Sequence, residues 1–271
     1  MLRLSSPRGI VGNFPFVQMG EAVGPTDIPG LGLWLDASDA STLFQDTAAA
    51  TPALANFDSI AAWRDKSGLG RHATQATTAR RPALASSALN GRNAVRFDEV
   101  DDTLAVSGAG SIAQSVYGIT VFVVTIPRAL PAGMSLYIST ANPAASRSWL
   151  SLPSAAQHFG RRLDADTGQT LSFGTLTAGT PVLVTDHVDL VNNLVTGYLS
   201  GTSLGQVAYQ TGAPAEPTSN TASGSVQIGS LNGSSTFANQ DLGEIVVFSR
   251  ALTSAERRAV EGYLRVKWGI V

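Results

Sequence analysis

From Leu31 onward, apolar and polar residues alternate in short runs closed by Gly, Asn, Asp or Pro, the pattern of strands with one buried face. Residues 32–36, 93–98, 103–107, 134–139, 146–152, 225–229 and 243–249 follow it. Residues 117–126 are nearly continuously apolar and β-branched, which predicts a central strand covered on both faces and ended by Pro127. In 181–191, Val182, Val184, Val188 and Leu190 share one face, while Thr185, His187 and Asp189 share the other. Asn192-Asn193 then suits a two-residue hairpin turn into a returning strand at 194–200.

Helical spacing stands out once, near the C-terminus. Thr253 precedes Glu256 by three residues, as in a capping box, and Val260, Tyr263, Leu264 and Trp268 follow at helical intervals. A short helix against the sandwich edge is expected. The pattern predicts an all-β fold: an antiparallel two-sheet β-sandwich (jelly roll) with an extended N-terminal arm and a short C-terminal helix. The arm is residues 1–30 and the jelly roll 31–271. Pro7, Pro15, Pro25 and Pro29 keep the arm extended. Phe14, Phe16 and Val17, with other apolar residues, make it too apolar for a solvated linker. It either packs on its own domain or anchors the chain to another subunit through these residues.

Composition narrows the function classes. Only 14% of the 271 residues are charged, against about 25% in an average domain. The net charge of −2, with no Lys/Arg cluster, speaks against nucleic-acid binding through a basic field. The chain has no Cys, so disulfides and thiolate chemistry are excluded. No apolar run is long enough for a membrane span. The first 21 residues lack the apolar core of a secretory signal, so assembly into a particle released by lysis is the expected route out of a cell.

Specific residues then carry a resemblance. Leu33-Trp34-Leu35-Asp36-Ala37-Ser38 leads to Trp63-Arg64-Asp65-Lys66-Ser67-Gly68 and to Asn90-Gly91-Arg92-Asn93-Ala94-Val95-Arg96-Phe97-Asp98. The chain closes with Gly243-Glu244-Ile245-Val246-Val247-Phe248-Ser249-Arg250, the capped helix, and Lys267-Trp268-Gly269. Over residues 31–271 this resembles the concanavalin A-like lectin/glucanase superfamily, in its laminin-G-like jelly-roll branch, of the kind found in phage virion and bacterial surface proteins. The resemblance implies two sheets packed face to face, one of them often a binding surface for glycans or proteins.

The superfamily's glucanases carry Glu-x-Asp-x-x-Glu on one strand face. Here the nearest match is Glu99-Val100-Asp101-Asp102-Thr103-Leu104, with Leu104 in the third carboxylate position. The broken constellation points away from an enzyme. Asp98, Asp101 and Asp102 form the densest acidic cluster, either a self-bonding turn or a Ca²⁺ site, with Asp36 and Asp39 as a weaker counterpart. Trp63, Trp34 and Trp268 suit the core, whereas Trp149 is the candidate exposed aromatic for a sugar. His158, Arg161 and Arg162 place an imidazole and two guanidiniums at an expected loop or strand end, either a solvated surface or a grip for an acidic sugar.

The reading is a non-enzymatic virion protein: a head decoration, spike, fibre or tail component that meets other virion proteins through its arm and adheres to host glycans. It is expected to be a homo-oligomer. The alternative is a carbohydrate-binding module of a bacterial surface or secreted protein.

Overall fold

The computed structural model describes residues 23–140, 146–152, 156–163, 166–209, 215–220 and 223–271. Phe14, Phe16 and Val17 lie outside the described residues. The first strands are β1 (Leu31–Asp36), β2 (Leu43–Phe44), β3 (Ala62–Trp63), β4 (Ala73–Thr74), β5 (Ala83–Leu89), β6 (Arg92–Arg96) and β7 (Leu104–Val106). Next come β8 (Gly118–Pro127), β9 (Gly133–Thr140), β10 (Ser146–Leu152), β11 (Ala156–Gly160) and β12 (Gln169–Phe173). The set closes with β13 (Val182–Asp189), β14 (Leu194–Leu199), β15 (Thr202–Ala208), β16 (Ser223–Ile228) and β17 (Gln240–Phe248), before helix α1 (Ser254–Trp268).

Two antiparallel sheets result. The eight-stranded sheet runs β15-β14-β13-β8-β17-β6-β5, with β1 added beside the second half of β17. The nine-stranded sheet runs β12-β11-β10-β9-β16-β7-β4-β3-β2. Between them lies the main core, which includes Leu33, Leu35, Trp63, Phe97, Leu136, Leu150, Val184 and Val226.

Strand β8 explains the third layer. Ile119, Val121 and Val123 point into the inter-sheet core, whereas Phe122, Val124 and Ile126 point the other way, into a second apolar cluster. A strand apolar on both faces needs two covers, and the second is α1, through Val260, Leu264 and Trp268. The helix therefore lies on the outer face of the eight-stranded sheet, not at the sandwich edge: the cluster it must cover belongs to β8, β13 and β17 in the middle of that sheet. Its ends are well formed. Thr253 and Glu256 make a reciprocal capping box, and Gly269 closes the helix at φ 62. Gly243 in β17 leaves room for the indole, since a Cβ there would sit 2.9 Å from the Trp268 ring.

Two local expectations shift. The β13–β14 connection is four residues rather than two, because Asp189 pairs with Leu194 and the Asp189 carboxylate accepts from the Asn192 amide at 3.0 Å. Residues 25–30 at the end of the expected arm are tied to the sheet: Ile28 is buried in the second cluster, and Arg250 and Ser249 donate to the carbonyls of Pro29 and Gly30.

Candidate functional site

The motif residues that carry the family resemblance meet beneath α1. Glu244 of β17 accepts from Trp34 Nε1, Trp268 Nε1 and Lys267 Nζ, each at 2.6 Å. Lys267 also reaches Asp36 Oδ2 at 2.8 Å, and Lys66 bridges Asp36 and Asp39 at 2.9 Å each. Burial and the nearby Asp36 charge push the Glu244 carboxyl above its ordinary range. Burial would raise Asp36 too, but the Lys267 charge and the hydrogen bonds from Lys267, Ser38 and Lys66 outweigh it and hold it low. Carboxylates with pKa values driven apart can signal acid–base chemistry. Here both are sealed, with side chains 0% and 3% exposed, and both are satisfied by lysines and indoles. The arrangement fixes the helix to the sheet, and Asp36 and Asp39 are spent on lysines rather than open to a cation.

The outer face of the nine-stranded sheet is different. Leu104, Val106, Leu136, Ile138, Leu150, Val226 and Ile228 face the inter-sheet core. Because side chains alternate across a strand, Ala105, Tyr137, Trp149 and Gln227 project from the opposite face. Register lines them up: Trp149 opposite Tyr137, Tyr137 opposite Gln227, Gln227 opposite Ala105, and Ala105 opposite Thr74. Tyr137 is buried, whereas Trp149, Gln227, Ala105 and Thr74 are half-exposed. The Gln227 amide is oriented by its donation to Ser225 Oγ at 2.6 Å. The only α-helix among the described residues lies on the other sheet. This row pairs an indole face with fixed amide and hydroxyl groups, the chemistry that stacks on and hydrogen-bonds a sugar ring.

His158 does not lie at an exposed strand end. It sits inside β11, fully buried and pointing between the sheets, with Nδ1 3.7 Å from Asp186 Oδ1 of β13. Ser148 Oγ donates to Asp186 Oδ2 at 2.8 Å. The trio contains the residue types of a nucleophilic triad but not its geometry: the serine bonds to the carboxylate, and no member reaches solvent. Burial lowers His158 to about 3, so the imidazole is neutral near pH 7, and burial pushes the Asp186 carboxyl well above the usual carboxylate range.

Arg162 is also buried, on carboxylates of its own chain: Asp166 at 3.4 Å and Glu216 at 3.2 Å. Arg161 is half-exposed. The four residues singled out as a ligand group thus divide, with Trp149 on the outer face, His158 inside the sandwich and Arg162 closing its own loop.

Asp98, Asp101 and Asp102 do come together, each with a carboxylate oxygen within 4.8 Å of the others. Much of the arrangement is a turn. Asp98 Oδ1 accepts from the amides of Val100 at 2.8 Å and Asp101 at 3.4 Å, and Asp102 Oδ2 accepts from the Asp98 amide at 3.1 Å. Burial and the Asp98 charge raise Asp102 to about 7. The donors are hard oxygens suited to Ca²⁺ and supply three of the roughly six to eight ligands it takes. Glu99 and Leu104 are not aligned with them: Glu99 turns the chain at φ 74 and bonds Asn239, and Leu104 lies in the core.

No family model matches the chain, and no curated protein matches it. Solved structures do. The chain aligns over 89% of its length with 34% of Trypanosoma rangeli sialidase, at TM-score 0.56 and 14% identity. It aligns over 89% with 55% of the botulinum neurotoxin serotype D binding domain, at 0.58 and 10% identity. The binding domain of Paraclostridial Mosquitocidal Protein 1 matches 88% of the chain over 52% of its own, at 0.58 and 14% identity. The chain thus spans about a third to about half of these chains. At such identities the likeness concerns the fold, a two-sheet antiparallel sandwich.

Proposed function

We propose that this chain is a non-enzymatic carbohydrate-binding sandwich that serves as a structural part of a virion, adhering to host glycans through the outer face of its nine-stranded sheet. The observation that carries the binding role is the row of Trp149, Tyr137 and Gln227 on a sheet face that α1 leaves alone. A half-exposed indole beside an oriented amide is suited to the apolar face and hydroxyls of a sugar. A non-enzymatic role is supported by the commitment of Glu244 and Asp36 to lysines, and of Asp186 to the interior. Apolar residues in the first 22 positions and the low share of charge support the particle role, with the arm docking on other virion proteins through Phe14, Phe16 and Val17. Calcium at Asp98, Asp101 and Asp102 belongs to the same proposal as a rim-stabilising ion. The second reading, a binding module of a bacterial surface or secreted protein, is favoured by one observation: the fold recurs as a part of longer chains.

The test is a glycan array probed with the full chain and with Trp149→Ala. Binding by the parent that the variant loses, with an unchanged melting temperature, is expected. Binding that survives the substitution moves the site elsewhere. Removal of residues 1–22, which spares the sheet-bound residues 25–30, followed by light scattering and mixing with candidate particle components, tests the arm.

A further inference from the structure

A two-sheet sandwich has four open edges, each a template for another strand unless blocked. Three are blocked here. On one side, residues 45–60 cover both sheets. Pro52 bridges Phe44 beside β2. Along β5, Phe57 donates to the Leu84 carbonyl, Leu84 donates to Asp58, and Ser59 bridges Ala83. On the other side, β15 is broken in register by a bulge, Gly197 pairing with Gly205 but Tyr198 with Ser203.

The fourth edge, β12, has none of these devices. It pairs with β11 in five consecutive registers, from Ala156–Phe173 to Gly160–Gln169, without a bulge. Its free side has no strand neighbour among the described residues. It holds no Pro and no charged residue, and neither occurs anywhere from Thr167 to Gly179.

We propose that β12 pairs antiparallel with β12 of a second copy, joining two nine-stranded sheets into one. The sequence is self-complementary about Leu171. Leu171 lies opposite His158, which points inward, so a two-fold axis through it brings Leu171 against its own copy on the core side. The same axis sets Thr170 opposite Ser172 on the outer side, a hydroxyl pair of the kind that stabilises cross-strand contacts. The absence of charge means that a like edge meets no repulsion, as an isologous contact requires. A five-residue edge is short against the roughly 1,200–2,000 Å² of a stable interface. The dimer therefore forms and dissociates with concentration.

The consequence for the glycan row rests on the proposed function above. Opposed residues in antiparallel pairing share a face, so both copies of Trp149 stand on the same side of the joined sheet. Five strand spacings separate them, about 24 Å. Two weak sugar sites held at that distance gain avidity on a glycan-coated surface.

Sedimentation and light scattering of the full chain over a concentration series test the pairing. The variants are Thr170→Lys with Ser172→Lys and, separately, Thr170→Glu with Ser172→Glu, with melting temperature as the fold control. The parent is expected to approach twice its chain mass. Each variant alone should stay at one chain mass, and a mixture of the two should associate again. A parent that stays at one chain mass overturns the proposal, as does an all-lysine variant that associates like the parent. Loss of association on removing residues 1–22 with β12 intact also overturns it. Failure of the glycan reading is separately visible: Trp149→Ala would then keep all its sugar binding, whatever the mass. If both hold, the mixture of the lysine and glutamate variants gains at least tenfold in residence on a glycan-coated surface over either variant alone.

Discussion

On the outer face of the eight-stranded sheet stand Phe122, Val124, Val246 and Phe248, all buried, with Phe122 and Phe248 in edge-to-face contact at 6.1 Å. On the outer face of the nine-stranded sheet stand Trp149, Tyr137, Gln227, Ala105 and Thr74, mixed in polarity and half-exposed except for Tyr137. Both sheets pack their inner faces into one core. The difference comes from what each sequence requires beyond that core. Strands that are apolar on both sides oblige the chain to supply a helix, and the helix then removes that face from any contact with a ligand. The nine-stranded sheet keeps Trp149, Gln227, Ala105 and Thr74 half-exposed on its outer face, and no α-helix among the described residues covers them. One outer face is sealed by the helix, and the other is the face proposed to bind.

Trp268→Ala should break the sealed face hardest. The indole is fully buried beside Gly243, and its Nε1 satisfies Glu244. Removing a core aromatic costs about 3–5 kcal/mol, and a buried carboxylate loses a donor as well. Chemical denaturation should show a loss of that size, while the isolated mutant, where folded, keeps its glycan binding because the opposite face is untouched. A loss below about 1 kcal/mol would mean that α1 does not hold the sheet.

The helix and β8 were legible in the sequence because their signals are local: a cap, a 3.6-residue spacing, an unbroken apolar run. Their mutual position was not, since placing α1 on the sheet face rather than its edge requires knowing that β8, β13 and β17 are neighbours. Glu244 was missed as an anchor for the same reason. It lies 210 residues from Trp34, and only the concentration of motif residues at the two chain ends hinted that they meet. His158 misled because Arg161 and Arg162 follow it, which suggests a surface, whereas the pairing of β11 with β10 turns it towards Asp186. Strands β12 and β15 escaped notice because Gln, Thr, Ser and Gly dominate them, and a weakly apolar edge strand has little period to read.

The rim between the faces responds to pH. Asp102 rises from 3.8 to about 7 on folding, through burial and then the Asp98 charge. A carboxyl raised in the folded state contributes stability that is complete below its unfolded value and is lost as pH rises through the folded one. The parent should therefore lose about 2–4 kcal/mol from this group between pH 4 and pH 8, measured by denaturation at each pH. Asp102→Asn should flatten that slope and be the more stable protein at pH 8. Calcium sharpens the experiment, since a bound cation favours the ionised carboxyl. If the turn binds it, millimolar Ca²⁺ at pH 8 raises the parent's melting temperature and leaves that of Asp102→Asn unchanged. An equal shift in both, or none in the parent, removes calcium from the turn.

Trp149→Ala is expected to have the smallest effect on folding and a decisive one on binding. The side chain is half-exposed, whereas Trp268 is fully buried, so its loss should cost much less stability than that of Trp268. The same substitution removes the surface on which a sugar would stack, and affinity for any glycan found on an array should fall at least tenfold, about 1.4 kcal/mol. Trp268→Ala should show the reverse, a large stability cost with affinity intact in the folded fraction. The two tryptophans thus test the division of labour directly, because each belongs to one face. Should Trp149→Ala unfold the chain while glycan binding follows Trp268, the assignment of the two faces would have to be exchanged.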